Sequence, residues 1–400
     1  MEMPMSDTLF IQNGMIYIDG RIARKNILVE NGSIKKIFVG KAVADEKINA
    51  SDMLVLPGSI DPHVHFREPG LTHKEDFRTG SFAAAAGGVT SVLDMPNTKP
   101  PTLTRKLLAE KISLAASKSI VDFGFHFGSS ADNLQEVEKA RDIASTKIFM
   151  DASTGNMLIQ DEDIVSKIIG ASRICTIHAE GRNARKAIEI SEKLKKKFYL
   201  CHVSTQNELE YVKENGGKNV FAEVTPHHLF LIETDQSKLI RMKPSLKNES
   251  DRRALWDSLN AGLIDTIGSD HAPHTIEEKD SGDVYGVPGV ETRLPLMLDA
   301  VNKRRLTLRR LVETMCENPA KIFRLKNKGF IKKGYDADFV IVDMKAQKKI
   351  RNDEMRTKCG WSPFDGFEVR GWPVKTIVRG KIVFDDGDVM KNKGRGIVYG

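Results

Sequence analysis

Apolar residues in the long middle of this 400-residue chain gather in short, β-branched runs that polar residues break off. Met53 to Ile60, Ile174-Cys-Thr-Ile177, Phe198-Tyr-Leu-Cys201 and Asp265-Thr-Ile-Gly268 are examples. Continuous runs of this length suit strands buried on both faces. They predict eight strands, ending near His65, Met95, Phe127, Phe149, His178, His202, Val224 and Asp270. Helical periodicity fills the intervals, as in Lys106 to Ala116, Ala184 to Lys197 and Asn207 to Asn215. Eight strand–helix alternations predict an α/β protein built on a (β/α)8, TIM-type barrel, whose chemistry gathers at the C-terminal ends of the strands.

The flanks are patterned differently. Residues 6 to about 56 carry short alternating runs joined by Asn13-Gly14, Asp19-Gly20 and Asn31-Gly32, residue pairs that accept positive φ and so predict hairpin turns. Phe339-Val-Ile-Val342, Thr376-Ile-Val378 and Lys381-Ile-Val-Phe384 repeat the style near the other end. The two ends are therefore expected to pair in one small β-sandwich subdomain. The expected organisation is 1–56 for the first part of the sandwich, 57–327 for the barrel, and 328–400 for the second part and a C-terminal tail.

Candidate chemistry sits at the predicted strand ends. His63 and His65, in Asp61-Pro-His-Val-His-Phe-Arg67, are two apart, so on a strand both imidazoles face one side and suit a zinc-type ion. His178, His202, His271 and His274 also follow apolar runs. Arg67 continues the face of His65 and offers a planar fork for a carboxylate. Cys201 adjoins His202, and alternation predicts that it faces away from the site. His227 and His228 are expected to support the barrel rim, and His73 and His126 to be surface or supporting residues. Thr275 to Gly286, rich in Glu, Lys, Asp and Gly, predicts a mobile loop that closes over substrate.

Composition narrows the function classes. The net charge is +7, but bases and acids are interspersed and no strip of basic and aromatic residues accompanies them, which argues against a nucleic-acid partner. The run Lys195 to Lys197 is expected to be a solvated helix end. A mildly positive surface suits a small anionic substrate. No apolar run reaches the ~20 residues that span a bilayer, and Met1 to Leu9 lacks a secretory pattern, so a soluble, cytoplasmic protein without a membrane partner is expected. Four dispersed cysteines predict reduced thiols. A homodimer is compatible with the sequence.

Taken together, Asp61 to Arg67, Glu75-Asp-Phe77, Ala83 to Gly88, Met95-Pro-Asn-Thr98, His202-Val-Ser204, Glu223 to Leu229, Ser269 to His274 and Pro288 to Thr292 resemble the amidohydrolase superfamily. Within it they resemble the long type of dihydroorotase over nearly the whole chain. The resemblance implies two metal ions per subunit, usually zinc, sharing a bridging hydroxide. It places His63, His65 and Asp270 on the first ion and His178 and His202 on the second. The bridge would be an N6-carboxylysine at Lys147, although some relatives use an aspartate and Asp151 lies nearby. It implies reversible hydrolysis of dihydroorotate to N-carbamoyl-aspartate in pyrimidine biosynthesis, with Asp270 both ligand and proton carrier. Substrate contacts would come from His65, Arg67, Asn97 and His274 and from the backbone of Tyr285 and Gly286. The chain departs from the pattern at Lys243, where relatives carry Asn or Arg. Cys201 and Glu223 leave room for an additional ion. Two other functions stay open: a related cyclic amidase, such as a hydantoinase or allantoinase, and an inactive homologue serving as a scaffold.

Overall fold

The computed structural model describes residues 7–152, 157–215, 219–282 and 284–400. Residues 1–6 of the N-terminal stretch and Asp283 in the segment after the eighth barrel strand lie outside the described residues. The chain opens with β1 (Thr8–Ile18), β2 (Arg21–Glu30), β3 (Ser33–Phe38), β4 (Glu46–Asn49) and β5 (Leu54–Pro57). Eight barrel strands follow: β6 (Ser59–Val64), β7 (Val89–Asp94), β8 (Asp122–Gly128), β9 (Ser145–Phe149), β10 (Ile174–His178), β11 (Lys197–Leu200), β12 (Val220–Val224) and β13 (Thr266–Ile267). The chain closes with β14 (Phe339–Lys349), β15 (Glu368–Val378), β16 (Lys381–Asp385) and β17 (Asp388–Val389).

The barrel strands pair in parallel, each with its sequence neighbour, from β6 to β13. This is the predicted eight-strand order, with ends within a few residues of the expected positions. Helices such as Phe77–Ala86, Arg105–Lys118, Gly181–Leu194 and Gln206–Asn215 cover the outside. The helix predicted over Ala184 to Lys197 overruns: Lys195 takes a left-handed conformation (φ 52°) that ends the helix, so Lys197 opens β11 instead.

The seam between β6 and β13 has no ladder. A single bridge joins Val64 to His271, with His65 N–H donating to the His271 carbonyl at 2.8 Å. Arg293 supplies the rest. Its Nη1 donates to the carbonyls of Ile60 (3.0 Å) and Ile267 (2.6 Å), its Nη2 to Ser59 Oγ (2.6 Å), and its Nε lies 3.6 Å from Asp61 Oδ2.

Both chain ends do meet in one sheet, ordered β17-β16-β15-β14-β5-β1-β2-β3 with β4 beside β1, around a core that includes Ile11, Ile27, Val55, Phe339 and Ile377. The sheet is mixed, since β1 runs parallel to β4 and β5. Asp19-Gly20 and Asn31-Gly32 form the expected hairpins, all four residues having positive φ. Asn13-Gly14 does not turn the chain. Asn13 (φ 64°) makes a bulge within β1, its N–H donating to Asn26 Oδ1, so the same local preference is used to keep pairing rather than to end it.

Two features tie the C-terminal part to the barrel. At the lower face Lys328 Nζ sits among Asp122, Asp336 and Asp338, at 2.5, 2.9 and 2.7 Å, and Arg379 also pairs with Asp122. This acidic trio is thus an ion-pair network centred on an ammonium. At the upper face residues 350–367 leave the sheet and pack Ile350, Trp361 and Phe364 against Leu231, Met242, Leu246 and Val287. A segment that sequence pattern assigned to the sheet region thereby forms part of the barrel mouth. All four cysteines are free thiols, and no described helix is long and apolar enough to cross a membrane.

Candidate active site

The polar residues at the strand ends converge in one buried cluster at the mouth. His63 is the last residue but one of β6 and His65 follows the strand; both Nε2 atoms point at Asp270 Oδ1, at 3.3 and 3.0 Å. Their other nitrogens are committed. His63 Nδ1 is 2.7 Å from Glu223 Oε1, and His65 Nδ1 is 2.7 Å from Asn97 Oδ1. Since those oxygens accept, each Nδ1 carries the hydrogen and each Nε2 presents a lone pair. Burial holds all four imidazoles neutral, His63 at about 3 and His65, His178 and His202 well below the usual range. Two bare nitrogens aimed at one carboxylate oxygen repel it unless a cation lies between them.

His178 ends β10, and its Nδ1 lies 2.9 Å from His202 Nε2. Their remaining nitrogens, His178 Nε2 and His202 Nδ1, are buried without a protein partner. The facing nitrogens are within the span of one ion bound at about 2.0–2.1 Å from each. The two pairs belong together: the His63 and His202 rings are 5.4 Å apart.

Lys147, on β9, is fully buried between them, its Nζ 2.9 Å from Cys201 Sγ and 5.0 Å from the Phe149 ring centre. Its charge depresses all four imidazoles, which puts it electrostatically at the centre. Asp151, the other candidate bridge, is turned away. Its carboxylate accepts from Glu180 N–H (2.7 Å) and Asn183 Nδ2 (2.8 Å), at the start of the helix Gly181–Leu194.

Cys201 faces the site, contrary to the alternation argument. Its Sγ lies within 4.8 Å of nitrogens of both His63 and His202. The strand ends at Leu200, and His202 is left-handed (φ 35°), so the alternation fails there and both side chains turn inward. Arg67 (φ 64°) and Asp270 (φ 45°) share this uncommon backbone, a clustering typical of functional sites. Glu223 is a hub that sequence reading left ambiguous: Tyr199 O–H donates to it at 2.7 Å and His202 N–H at 3.0 Å. Gly268 makes room for it, since a Cβ there would lie 2.2 Å from Glu223 Oε2.

The substrate candidates line the mouth. Arg67 is buried, its Nε donating to the Pro273 carbonyl (3.1 Å) and its Nη2 lying 3.0 Å from His274 Nε2. Burial lowers it to about 10, against the opposing pull of Asp270. His274 Nε2 is 3.0 Å from the Tyr285 carbonyl. Gly286 N–H donates to the Arg241 carbonyl at 2.8 Å, so that group is already engaged. Lys243 lies over the Tyr285 ring, 4.5 Å from its centre. The segment after β13 holds an ordered helix, Ile276–Ser281, with a Thr275/Glu278 capping box. Lys279 fastens it by donating to the carbonyls of Arg241 (2.8 Å) and Gly286 (2.9 Å).

The supporting histidines are placed. His228 accepts from Thr225 Oγ1 and donates to the Pro244 carbonyl, and His227 is buried beside it. His126 is fully buried rather than superficial, bridging Ser145 Oγ and the Pro62 carbonyl. His73 is exposed and pairs with Glu278. Arg293 and Lys74 are the residues sequence reading missed. Arg293 directly follows the Pro288-to-Thr292 motif, and nothing in its own neighbours marks it as buried.

A model of the amidohydrolase family matches residues 54–383. The dihydroorotase of Pyrococcus abyssi is 42% identical over 96% of this chain and 97% of its own length, and that of Methanosarcina acetivorans 38% over 97% and 94%. Among solved structures, the L-hydantoinase (dihydropyrimidinase) of Arthrobacter aurescens is similar with a TM-score of 0.94 and 30% identity, covering 98% of this chain and all of that one. The dihydropyrimidinase of Brevibacillus agri gives 0.91 at 25% identity, covering 98% of each.

Proposed function

The chain belongs to the amidohydrolase family, and we propose that within it the protein is a dihydroorotase, interconverting dihydroorotate and N-carbamoyl-aspartate. Relatives of that name align over nearly its whole length. The observation that carries the reading is the buried Arg67 beside the histidine cluster, its Nη2 3.0 Å from His274 Nε2: together the two side chains would receive the carboxylate that dihydroorotate carries and hydantoin lacks. The solved relatives named above are hydantoinases and dihydropyrimidinases, and their shared fold is compatible with either ring.

The donor set fits a pair of divalent ions. His63, His65 and Asp270 would hold one, and His178 and His202 a second, with Lys147 as a carbamate between them. The facing nitrogens of His178 and His202, 2.9 Å apart, and the lone pairs facing Asp270 support this. Four neutral imidazoles and one carboxylate leave two dications short of negative charge, which a carbamate would supply in place of a buried ammonium. Zinc suits this nitrogen-rich set. Once bound, such ions would lower the pKa of water and polarise the ring amide.

The remaining work falls to the protein. Arg67 and His274 hold the carboxylate and so orient the ring. Asn97 and Glu223 fix the His65 and His63 rings by accepting from Nδ1. Asp270, whose pKa burial raises, takes a proton at its carboxylate from the attacking water and returns it to the leaving ring nitrogen. Burial of the whole cluster excludes competing water. In the cyclising direction Asp270 accepts the proton from the carbamoyl nitrogen.

The test is zinc content with and without bicarbonate, alongside turnover of dihydroorotate, hydantoin and allantoin, for the wild type and Lys147→Ala. The proposal expects two ions, dihydroorotate as the preferred ring, and loss of metal and turnover in the variant. Preference for hydantoin or allantoin would overturn the assignment, and absence of turnover on every ring would favour a scaffold.

A further inference from the structure

Lys74 has no part in the chemistry above, yet it is buried at the mouth, with Nζ 3.0 Å from His274 Nδ1 and 3.1 Å from Glu278 Oε1. An ammonium can only donate, so the His274 nitrogen opposite it must be the bare one. The ring hydrogen then sits on Nε2, where the Tyr285 carbonyl accepts it at 3.0 Å. The other tautomer would give Arg67 an acceptor. It would also set an N–H against the Lys74 ammonium and a lone pair against the Tyr285 oxygen, with only Glu278 Oε2, at 3.4 Å, to receive the hydrogen. A doubly protonated ring would face Arg67, Lys74 and Lys279 together, which burial makes worse. The Nε2–H form satisfies the most contacts. It leaves one mismatch, because Arg67 Nη2 then lies against a donor and His274 offers it no lone pair.

Resting on the dihydroorotase reading, we propose that Lys74 is a positioning residue: by donating to Nδ1 it fixes His274 as the Nε2–H tautomer, so that His274 and Arg67 present two converging donors to the substrate carboxylate. The Arg67–His274 mismatch is relieved when a carboxylate accepts from both, the Nε2 hydrogen then being shared between the carboxylate and the Tyr285 carbonyl. Glu278, a member of the capping box of the Ile276–Ser281 helix, holds Lys74 in place and is itself met by His73 at 3.0 Å. Trp361, from the C-terminal cap, donates from Nε1 to the His274 carbonyl at 2.8 Å and fixes the backbone that carries the ring.

Two measurements on the zinc-loaded enzyme test this. The first is nitrogen NMR of 15N-histidine-labelled protein, with the His274 signals identified by their absence in His274→Asn. A bare Nδ1 and a protonated Nε2 are expected in the wild type, and a shift toward the other tautomer in Lys74→Met. The second is kinetic. Lys74→Met is expected to raise KM for dihydroorotate about tenfold or more, with kcat within about threefold, and Lys74→Arg to recover most of the loss because a guanidinium also donates. KM for dihydrouracil, which has no carboxylate, should not move. An Nδ1–H tautomer in the wild type overturns the proposal even if Lys74→Met does not fold. So does an unchanged tautomer in the variant, or an equal loss on both rings. If the wild type does not turn over dihydroorotate, the functional reading fails, while the spectra still decide whether Lys74 sets the tautomer.

Discussion

Arg293→Met is the most informative perturbation of the fold, because it opens the one barrel seam that lacks a ladder. The substitution removes three charge-assisted hydrogen bonds, to the carbonyls of Ile60 and Ile267 and to Ser59 Oγ, and leaves Asp61 buried opposite no cation. Each such bond contributes ~1.5–3 kcal/mol, and deleting one member of a buried ion pair costs ~3–5 kcal/mol. These overlap, and methionine keeps part of the packing, so a loss of about 3–5 kcal/mol is expected. Against a typical total of ~5–15 kcal/mol that is a large fraction. The assay is equilibrium unfolding in urea, for the wild type, Arg293→Met, Asp61→Asn and the double variant, at fixed zinc. The double variant should be more stable than the sum of the single losses implies, by ~1 kcal/mol or more, since the orphaned charge is gone. Metal affinity should fall as well, because Asp61 Oδ1 accepts from His63 N–H (3.2 Å) and Ser269 N–H (3.1 Å), the backbone that aims two of the site's strand ends. Loss of less than ~0.5 kcal/mol in Arg293→Met, or strict additivity in the cycle, would refute the seam argument.

Further outcomes follow from the same geometry. Glu223→Gln keeps the shape but weakens the acceptor for His63 Nδ1 and the Tyr199 hydroxyl; zinc affinity by competition with a chromophoric chelator should drop about 10–100-fold, and an unchanged affinity would show that Glu223 does not orient His63. Asn97→Ala should act in the same direction through His65, and raise KM for dihydroorotate if Asn97 also meets the substrate. Stripping metal with a strong chelator should abolish turnover reversibly, with activity returning in proportion to zinc added; activity that survives complete removal would exclude the metal centre. Lys279 gives a pH signature. Burial, with Arg241 and Arg67 close by, lowers it from 10.5 to about 7, so between those values the unfolded chain holds a proton the folded protein has shed. Stability due to Lys279 therefore rises with pH across that window, by at most ~1.4 kcal/mol per unit, and is least below pH 7 where both states carry the charge. The thermal midpoint of the wild type should gain on that of Lys279→Met between pH 7 and 9, and a constant gap would contradict it.

The barrel was legible in the chain because each strand is buried on both faces and so writes a continuous apolar run, and because polar residues interrupt those runs where the mouth begins. His63, His65, His178, His202 and Asp270 could be found for that reason, and the structure gathers them with Lys147. What escaped was set by distant partners. Nothing local in Arg293 says that it will reach two strands more than two hundred residues apart in sequence. Lys74 sits in a polar stretch, Thr72-His-Lys-Glu-Asp76, that reads as solvated surface until His274 and Glu278, from the segment after β13, pack against it. Cys201 was misplaced because a period-two rule was extended one residue beyond the strand, into left-handed backbone at His202. Asn13-Gly14 carries turn chemistry, but its strand neighbours outweigh it and it becomes a bulge.

The sheet that unites the chain ends sets an order of events during synthesis. β5 has its partner β14 roughly 280 residues later, an interval of roughly 15–60 s at common ribosomal rates of ~5–20 residues per second. Until then the first strands leave the ribosome with one edge unpaired and Val55 and Leu56 uncovered, while the barrel that separates them is still being made. The nascent segment from β1 to β5 therefore depends for solubility on the polar, hydrogen-bonding residues of its early hairpins, or on a chaperone, until the strands from Phe339 onward complete the sheet that it begins.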